Sequence, residues 1–155
     1  MRKFRFRLAT LLRLREAARD ERRTQLGEAY HAEQKLMEHK AAVISEAEAL
    51  RDGYGQAAKP GALDVDRLMN AHRHRLILEA QLKFIDEQAA KLAAEIEKRR
   101  LALVAADREV RVLENLRDTW KERHRQEEQL AEMKGIDEVA GRMFADPTIA
   151  ERTIG

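Results

Sequence analysis

The sequence contains no cysteine, only two prolines and seven glycines, and aromatic residues make up 5% of its 155 residues. Without cysteine, neither a disulfide framework nor a cysteine-ligated metal site is possible. No apolar run approaches the roughly 18 residues that a membrane-spanning helix needs. The residues that are present, 37% charged and 44% hydrophobic, have the composition of long helices rather than of a compact globular domain.

Apolar residues recur at seven-residue spacing through the second half of the chain. One series is Leu82, Ala89, Ile96, Leu103 and Val110. A second series, three residues later, is Ile85, Leu92, Arg99, Ala106 and Leu113. These are the a and d positions of a coiled coil. The first half repeats the pattern less regularly: Leu12, Leu26 and Ala47 share one phase, and Leu36, Val43 and Leu50 share another.

One break separates the two patterned halves. Residues 53–62 read GYGQAAKPGA and hold three glycines and one proline, which predicts a hinge. We expect helix 1 from about residue 7 to 52, the hinge at 53–62, helix 2 from about 65 to 134 with Asp64 as its N-cap, and a partly disordered tail at 135–155. Since a short connection makes helices antiparallel neighbours, the prediction is an all-α fold: one long two-helix antiparallel coiled-coil hairpin over residues 1–155.

The register of this hairpin follows from its hinge. If residue 52 lies opposite residue 63, the numbers of paired residues add to about 115. Leu12 then meets Leu103, and Lys40 lies level with Arg75. Helix 1 ends opposite about residue 113, so residues 113–134 should project beyond the pair. This predicted overhang carries Leu113, Leu116, Trp120, Leu130 and Met133, and it would need a partner or a fold-back of the tail.

Charge is distributed unevenly along the chain. Residues 1–23 carry nine Lys or Arg and three Asp or Glu, whereas residues 126–155 carry three and seven. In the basic head, Phe4 and Phe6 alternate with Arg5 and Arg7. Phosphate contact with base stacking is physically possible for this pattern, but no base-reading fold accompanies it. We therefore favour a protein partner for the head over nucleic acid.

A second apolar stripe lies off the predicted seam of helix 2. It consists of Met69, Leu76, Ile77, Ala80 and Phe84. The spacing places these residues on the side that faces away from helix 1. The loop or a second copy of the chain could cover the stripe, or it could be a docking site for another protein.

No motif for catalysis or for cofactor binding accompanies these surfaces. Gly53-Tyr54-Gly55 follows no strand and lacks the GKS/T sequence of a phosphate loop. The five histidines form neither an HExxH motif nor an i, i+4 pair. The carboxylates lie among opposite charges on expected helix surfaces, which is unlike an isolated acid/base pair. The sequence therefore predicts no enzyme, no cofactor, no metal and no small-molecule substrate.

Several segments resemble the flagellar type III export protein FliJ family. They are Phe4-Arg5-Phe6-Arg7-Leu8, Leu11-Leu12-Arg13-Leu14-Arg15-Glu16, Val112-Leu113-Glu114-Asn115-Leu116-Arg117 and Ile136-Asp137-Glu138-Val139-Ala140. Each motif is degenerate, but their combination, their spacing and the two-helix layout fit nearly the whole chain.

The resemblance implies a cytoplasmic component of the flagellar export apparatus, peripherally associated with it at the inner membrane and required for motility. Family members form a hairpin similar to the rotor stalk of rotary ATPases. They bind the hexameric export ATPase, contact the cytoplasmic domain of the export gate and escort unloaded export chaperones. On this reading the ATPase end carries Phe4, Arg5, Phe6, Arg7, Leu113, Leu116 and Trp120. The gate would dock on Met69, Leu76, Ile77 and Phe84.

Two other functions remain open at this point. A rotor-stalk subunit of a rotary ATPase has similar helices, but it usually needs a globular foot that ten hinge residues cannot form. A generic coiled-coil scaffold or a nucleic-acid-associated protein is the other alternative. A steep salt dependence of DNA binding would favour the nucleic-acid alternative.

Overall fold

The computed structural model describes residues 3–57, 61 and 64–145 of the chain. These residues form two α-helices, α1 at Ala9–Ala57 and α2 at Val65–Ala145, and no strand. The chain divides into two compact units, each of which contains part of both helices. We call Ala18–Ala106 the hinge unit, and Met1–Ala17 with Asp107–Gly155 the terminal unit. Within each unit α1 and α2 run antiparallel, so the predicted all-α two-helix hairpin is confirmed.

Both helices begin at an identifiable cap. The carbonyl of Leu8 accepts a hydrogen bond from the amide of Leu12 at 2.9 Å, which closes the first turn of α1. At the start of α2, Asp64 Oδ1 accepts a hydrogen bond from the amide of Arg67 at 3.2 Å, and the Asp64 carbonyl accepts one from Leu68 at 3.1 Å. Asp64 is therefore the predicted N-cap, since its side chain satisfies an amide that has no partner inside the helix.

Helix α1 continues five residues past the expected end at residue 52. Gly53 and Gly55 both lie inside the helix, so the first residues of the expected hinge at 53–62 are helical instead. Of the glycines that the structure describes, Gly61 has a positive φ, at 104°. An interior glycine costs a helix only about 1 kcal/mol, which is too little to end it without a competing cap. Lys59 and Pro60, expected to belong to the hinge, lie outside the described residues.

Helix α2 also continues past its expected end, from residue 134 to Ala145. Gly135 does not stop it, for the same energetic reason, and ten further residues extend the helix. Residues 135–145 are thus helix rather than disordered tail. The rest of the predicted tail, residues 146–155, lies outside the described residues. The assignment of the whole chain to one domain stays a prediction.

The hinge unit is held together by the predicted heptad seam. Its core cluster consists of Val43, Leu78 and Ile85, with Leu36, Ala47, Leu50 and Leu82 packed against it. Val43 and Leu78 are 4% and 2% exposed. Leu78 stands seven residues before Ile85 and so extends the second series by one heptad. Burial of large apolar side chains like these stabilises a protein by about 1.5–3 kcal/mol each.

Polar contacts between α1 and α2 fix the register of the hinge unit. Arg99 donates to the carbonyl of Gln25 at 2.6 Å, and Lys40 Nζ lies 2.6 Å from Asp86 Oδ1. The numbers of these partners add to 124 and 126. The expected value of about 115 was wrong, and the five further residues of α1 account for about half of the difference. Lys40 consequently pairs with a carboxylate and not with Arg75.

The terminal unit contains residues 3–17 and 107–145 of the described chain. Val110 is fully buried and Leu12 is 6% exposed, so both predicted seam residues belong to its core. Arg15 forms an exposed ion pair with Glu109, with 2.8 Å between Nη1 and Oε2. This pair and the aromatic contacts described below define the register within the unit.

Candidate functional site

The predicted docking stripe lies on an exposed face of α2 in the hinge unit. Ile77 and Phe84 are 56% and 60% exposed, and Met69 and Leu76 are about half exposed. Leu78, next to Ile77 in the chain, is buried in the hinge-unit core. Successive helix residues point about 100° apart, so one helix presents a buried and an exposed apolar face. The binding role of the stripe stays a prediction, and the loop residues 58–60 and 62–63 that were considered as its cover lie outside the described residues.

The stripe includes a shallow hollow into which a side chain could fit. Ile77, Ala80 and Phe84 of α2 line it together with His39 of α1. Its floor includes the buried Ile85. The hollow is almost wholly apolar, which suits an apolar anchor residue of a partner.

A groove in the hinge unit was missed by the sequence reasoning. Apolar side chains from both helices line it, together with the polar side chains of Glu48, Arg51, His72, Arg75 and Glu79. Tyr54 of α1 is about half exposed and lies in this groove. Tyr54 was assigned to the hinge, and only the continuation of α1 to Ala57 places it beside α2. A helix predicted across both glycines would have placed Tyr54 there.

In the terminal unit, the basic head packs onto α2 through its aromatic residues. Residues 3–6 are not helical, and a turn at residues 7–8 leads into α1. The ring of Phe6 contacts Trp120 edge to face, with 5.5 Å between centroids, and Phe4 contacts His124 in the same way at 5.7 Å. Such pairs stabilise by about 0.5–1.5 kcal/mol beyond the area that they bury. We call these four residues the aromatic clasp.

The clasp corrects the first part of the predicted overhang, residues 113–124. Trp120 was expected to project unpaired beyond helix 1, but it is half-buried against Phe6. Leu113 and Leu116 are half-buried as well. The register accounts for the difference, because partner numbers in this unit add to 124 for Arg15–Glu109 and to 126 for Phe6–Trp120. Residues 113–124 therefore lie alongside the head.

Because the aromatic side chains of the head face α2, the cations of the head face away from α2. Phe4, Phe6 and Leu8 are half-buried, whereas Lys3, Arg5 and Arg7 are exposed. This alternation is the period of an extended segment, in which neighbouring side chains point to opposite sides. The head thus presents three positive charges in a row on a segment that its aromatic residues hold in place.

Elsewhere the charges form ordinary surface pairs. Glu97 accepts hydrogen bonds from Arg100 at 2.7 and 2.8 Å, which lowers the pKa of the Glu97 carboxyl and raises that of the Arg100 guanidinium. Within the described ranges there is no group of three His, Asp or Glu side chains placed to hold a metal ion. In the same part of the chain, no helix is long and apolar enough to cross a membrane.

The fold and these surfaces define an all-α protein of two long coiled-coil helices, with exposed apolar and basic patches on its surface. The family model described as Flagellar FliJ protein matches residues 4–148, nearly the whole chain. The chain therefore belongs to the FliJ family, whose members are non-catalytic proteins associated with flagellar export. Comparisons with curated proteins and with solved structures gave no significant match.

Proposed function

We propose that this protein is a non-enzymatic coupling component of the flagellar type III export apparatus. Its terminal unit binds the hexameric export ATPase, and the stripe on its hinge unit binds the cytoplasmic domain of the export gate. It also escorts export chaperones. It acts in the cytoplasm, peripherally associated with the apparatus at the inner membrane. The observation that carries this proposal is the family match over residues 4–148.

The aromatic clasp supports a binding role for the head. A free chain terminus loses conformational entropy when a partner orders it. In this protein Phe4 and Phe6 already hold the head against α2, and Arg5 and Arg7 are exposed. Preordered cations favour a partner with an acidic surface, and they raise the rate of its association at low salt.

The stripe supports a second binding role in the hinge unit. Ile77 and Phe84 are large apolar side chains more than half exposed, and they flank the hollow that His39 borders. Contiguous exposed apolar surface is uncommon on proteins that bind no partner. The stripe also offers an anchor site without any change in the core, since Leu78 and Ile85 stay buried beside it.

Stimulation of the export ATPase tests the first role. We expect the chain to accelerate ATP hydrolysis by the purified hexamer, and we expect Arg5→Glu with Arg7→Glu to reduce this stimulation by about tenfold. Arg22→Glu with Arg23→Glu is the matched control, because it makes the same charge change on exposed residues of the hinge unit. If the head variant stimulates as well as the control, the head does not contact the ATPase.

Binding of the gate domain tests the second role. Ile77→Ser with Phe84→Ser should weaken binding of the purified cytoplasmic domain of the gate by at least about tenfold, since both apolar anchors are lost. The control is Tyr30→Ser with Met37→Ser, which removes two exposed apolar side chains from α1. Equal loss in both variants would mean that exposed apolar area alone, and not this stripe, holds the gate.

A further inference from the structure

A third exposed apolar surface lies at the C-terminal end of α2, in the terminal unit. It consists of Met133, Ile136, Val139 and Met143, which are 59–67% exposed. We call it the C-terminal face. Neither the head nor the stripe includes any of these residues, and the proposed function gives them no role.

This face does not continue the seam that holds the head. In the terminal unit the seam runs through Val110, Leu113, Trp120 and His124, all buried or half-buried. The same two heptad phases continue through residues 127, 131, 134, 138 and 141, which are all exposed and mostly charged or small. At 100° per residue, the centre of the C-terminal face lies roughly half a turn away from that continued seam. A segment that extended the seam past His124 would therefore leave the face uncovered.

The shape of the face suits an α-helix. Glu132, Gly135, Ile136 and Val139 stand at positions i, i+3, i+4 and i+7, and they surround a shallow hollow. Four residues at this spacing form the hole into which a side chain of a partner helix inserts in a coiled coil. Nothing lies within 4 Å of a Cβ built on Gly135, so the space beside the hollow is open. Ile136, Val139, Ala140 and Met143 form a second hole with the same spacing.

Charge defines the chemistry of the partner. Residues 126–145 carry five Asp or Glu and two Lys or Arg. By helical position, Glu128 and Glu132 lie within a quarter turn of the centre of the face, whereas Lys134 and Arg142 lie farther round the helix. Arg125, one turn before Glu128, forms an ion pair with Glu122 at 3.8 Å. The face is thus apolar with an acidic edge.

We propose that the C-terminal face binds an amphipathic α-helix of another protein that carries Lys or Arg beside its apolar side. A second copy of this chain fits less well, because the same face would supply carboxylates to a rim that already has them. The chain's own residues 146–155 fit less well too, since their sequence is net acidic and includes Pro147. This proposal is independent of the proposed function.

Two synthetic peptides test the proposal on the full chain. Both have the same apolar face at i, i+3, i+4 and i+7, with Lys flanking it in one and Glu in the other. Fluorescence anisotropy should give an affinity about tenfold higher for the Lys-flanked peptide at low salt. Ile136→Ser with Met143→Ser should remove binding, whereas Tyr30→Ser with Met37→Ser, at exposed positions of α1 in the hinge unit, should not. Because all four side chains are exposed, none of these changes should unfold the chain.

Reversal of one charge tests the acidic edge. Glu132→Lys should reduce the preference for the Lys-flanked peptide to about parity. Equal binding of both peptides by the unchanged chain would overturn the proposal. Two other results would also overturn it. One is a dimer in sedimentation equilibrium that is lost in the Ile136→Ser, Met143→Ser variant. The other is a large gain in affinity for the Lys-flanked peptide when the chain is shortened to end at residue 145. The first of these two results would assign the face to a second copy, and the other to the chain's own last residues. Neither result bears on the ATPase or the gate.

Discussion

The amine of Lys40 in α1 lies 2.6 Å from the carboxylate of Asp86 in α2, although Lys40 occupies a seam position of the coiled coil. Its side chain is 34% exposed, so the charge reaches water at the edge of the seam while its methylene groups pack inside it. An ion pair of this exposure contributes at most about 1 kcal/mol. Its larger use is as a marker of register, because this pair forms only where Lys40 and Asp86 lie level with each other.

Neighbouring residues in α2 should separate stability from binding. Leu78→Ala removes a side chain from the hinge-unit core, where it is 2% exposed, and should lower the free energy of unfolding by about 2–4 kcal/mol. Ile77→Ala removes a side chain that is 56% exposed and should change it by less than about 0.5 kcal/mol. Urea denaturation followed by circular dichroism measures both. Similar losses in the two variants would contradict the assignment of the two faces.

The aromatic clasp can be followed through the single tryptophan of the chain. Phe6 covers part of Trp120, so Phe6→Ala should expose the indole, shift its fluorescence emission to longer wavelength and increase its quenching by acrylamide. Phe84→Ala removes an exposed ring in the hinge unit and serves as the control. An unchanged emission spectrum in Phe6→Ala would show that the head does not pack on Trp120.

The glycines near the turn should respond in opposite directions to substitution by alanine. Gly53 and Gly55 lie inside α1, with nothing within 4 Å of an added Cβ. Gly53→Ala and Gly55→Ala should therefore each stabilise the chain by about 0.4–1 kcal/mol. Gly61 has φ 104°, which strains an L-residue, so Gly61→Ala should destabilise it. Thermal unfolding measures the three changes. A loss of stability in Gly53→Ala would mean that α1 ends before residue 53.

The Glu97–Arg100 pair gives a prediction about pH. Because the hydrogen bonds from Arg100 lower the pKa of Glu97 in the folded chain, their contribution to stability is present above the ordinary pKa of a glutamate. It is lost as the pH falls through the lowered value. Arg100→Gln should return the pKa of Glu97 toward its ordinary value, as measured by NMR titration of the side-chain carboxyl. No change in that pKa would show that the pair does not form in solution.

The heptad pattern predicted much of the fold because burial at the seam depends on residue type and spacing. All ten residues of its two main series, from Leu82 to Leu113, are buried or half-buried. The pattern did not predict the register. Register depends on where α1 ends. That end is decided by small differences in the free energy of helix formation at Gly53, Gly55 and the residues that follow.

The candidate surfaces were predicted unequally for the same reason. The stripe depends only on which face of α2 a residue occupies, so periodicity alone located Ile77 and Phe84. The aromatic clasp depends on register, and an error of about ten in the sum of partner numbers left Trp120 unpaired in the sequence account. The C-terminal face, apart from Met133, was missed because α2 was expected to end at about residue 134.

The register of the hinge unit is the claim on which these assignments depend, and a pair of spin-label distances tests it most directly. Lys35 and Lys91 are exposed, and their numbers add to 126, as those of Lys40 and Asp86 do. Labels at these positions should lie close together, whereas Lys35 and Ala80 should be offset by about 16 Å along the helix axes. If the distance between labels at residues 35 and 80 is shorter than that between labels at residues 35 and 91, the partner numbers add to about 115 and the register described above is wrong.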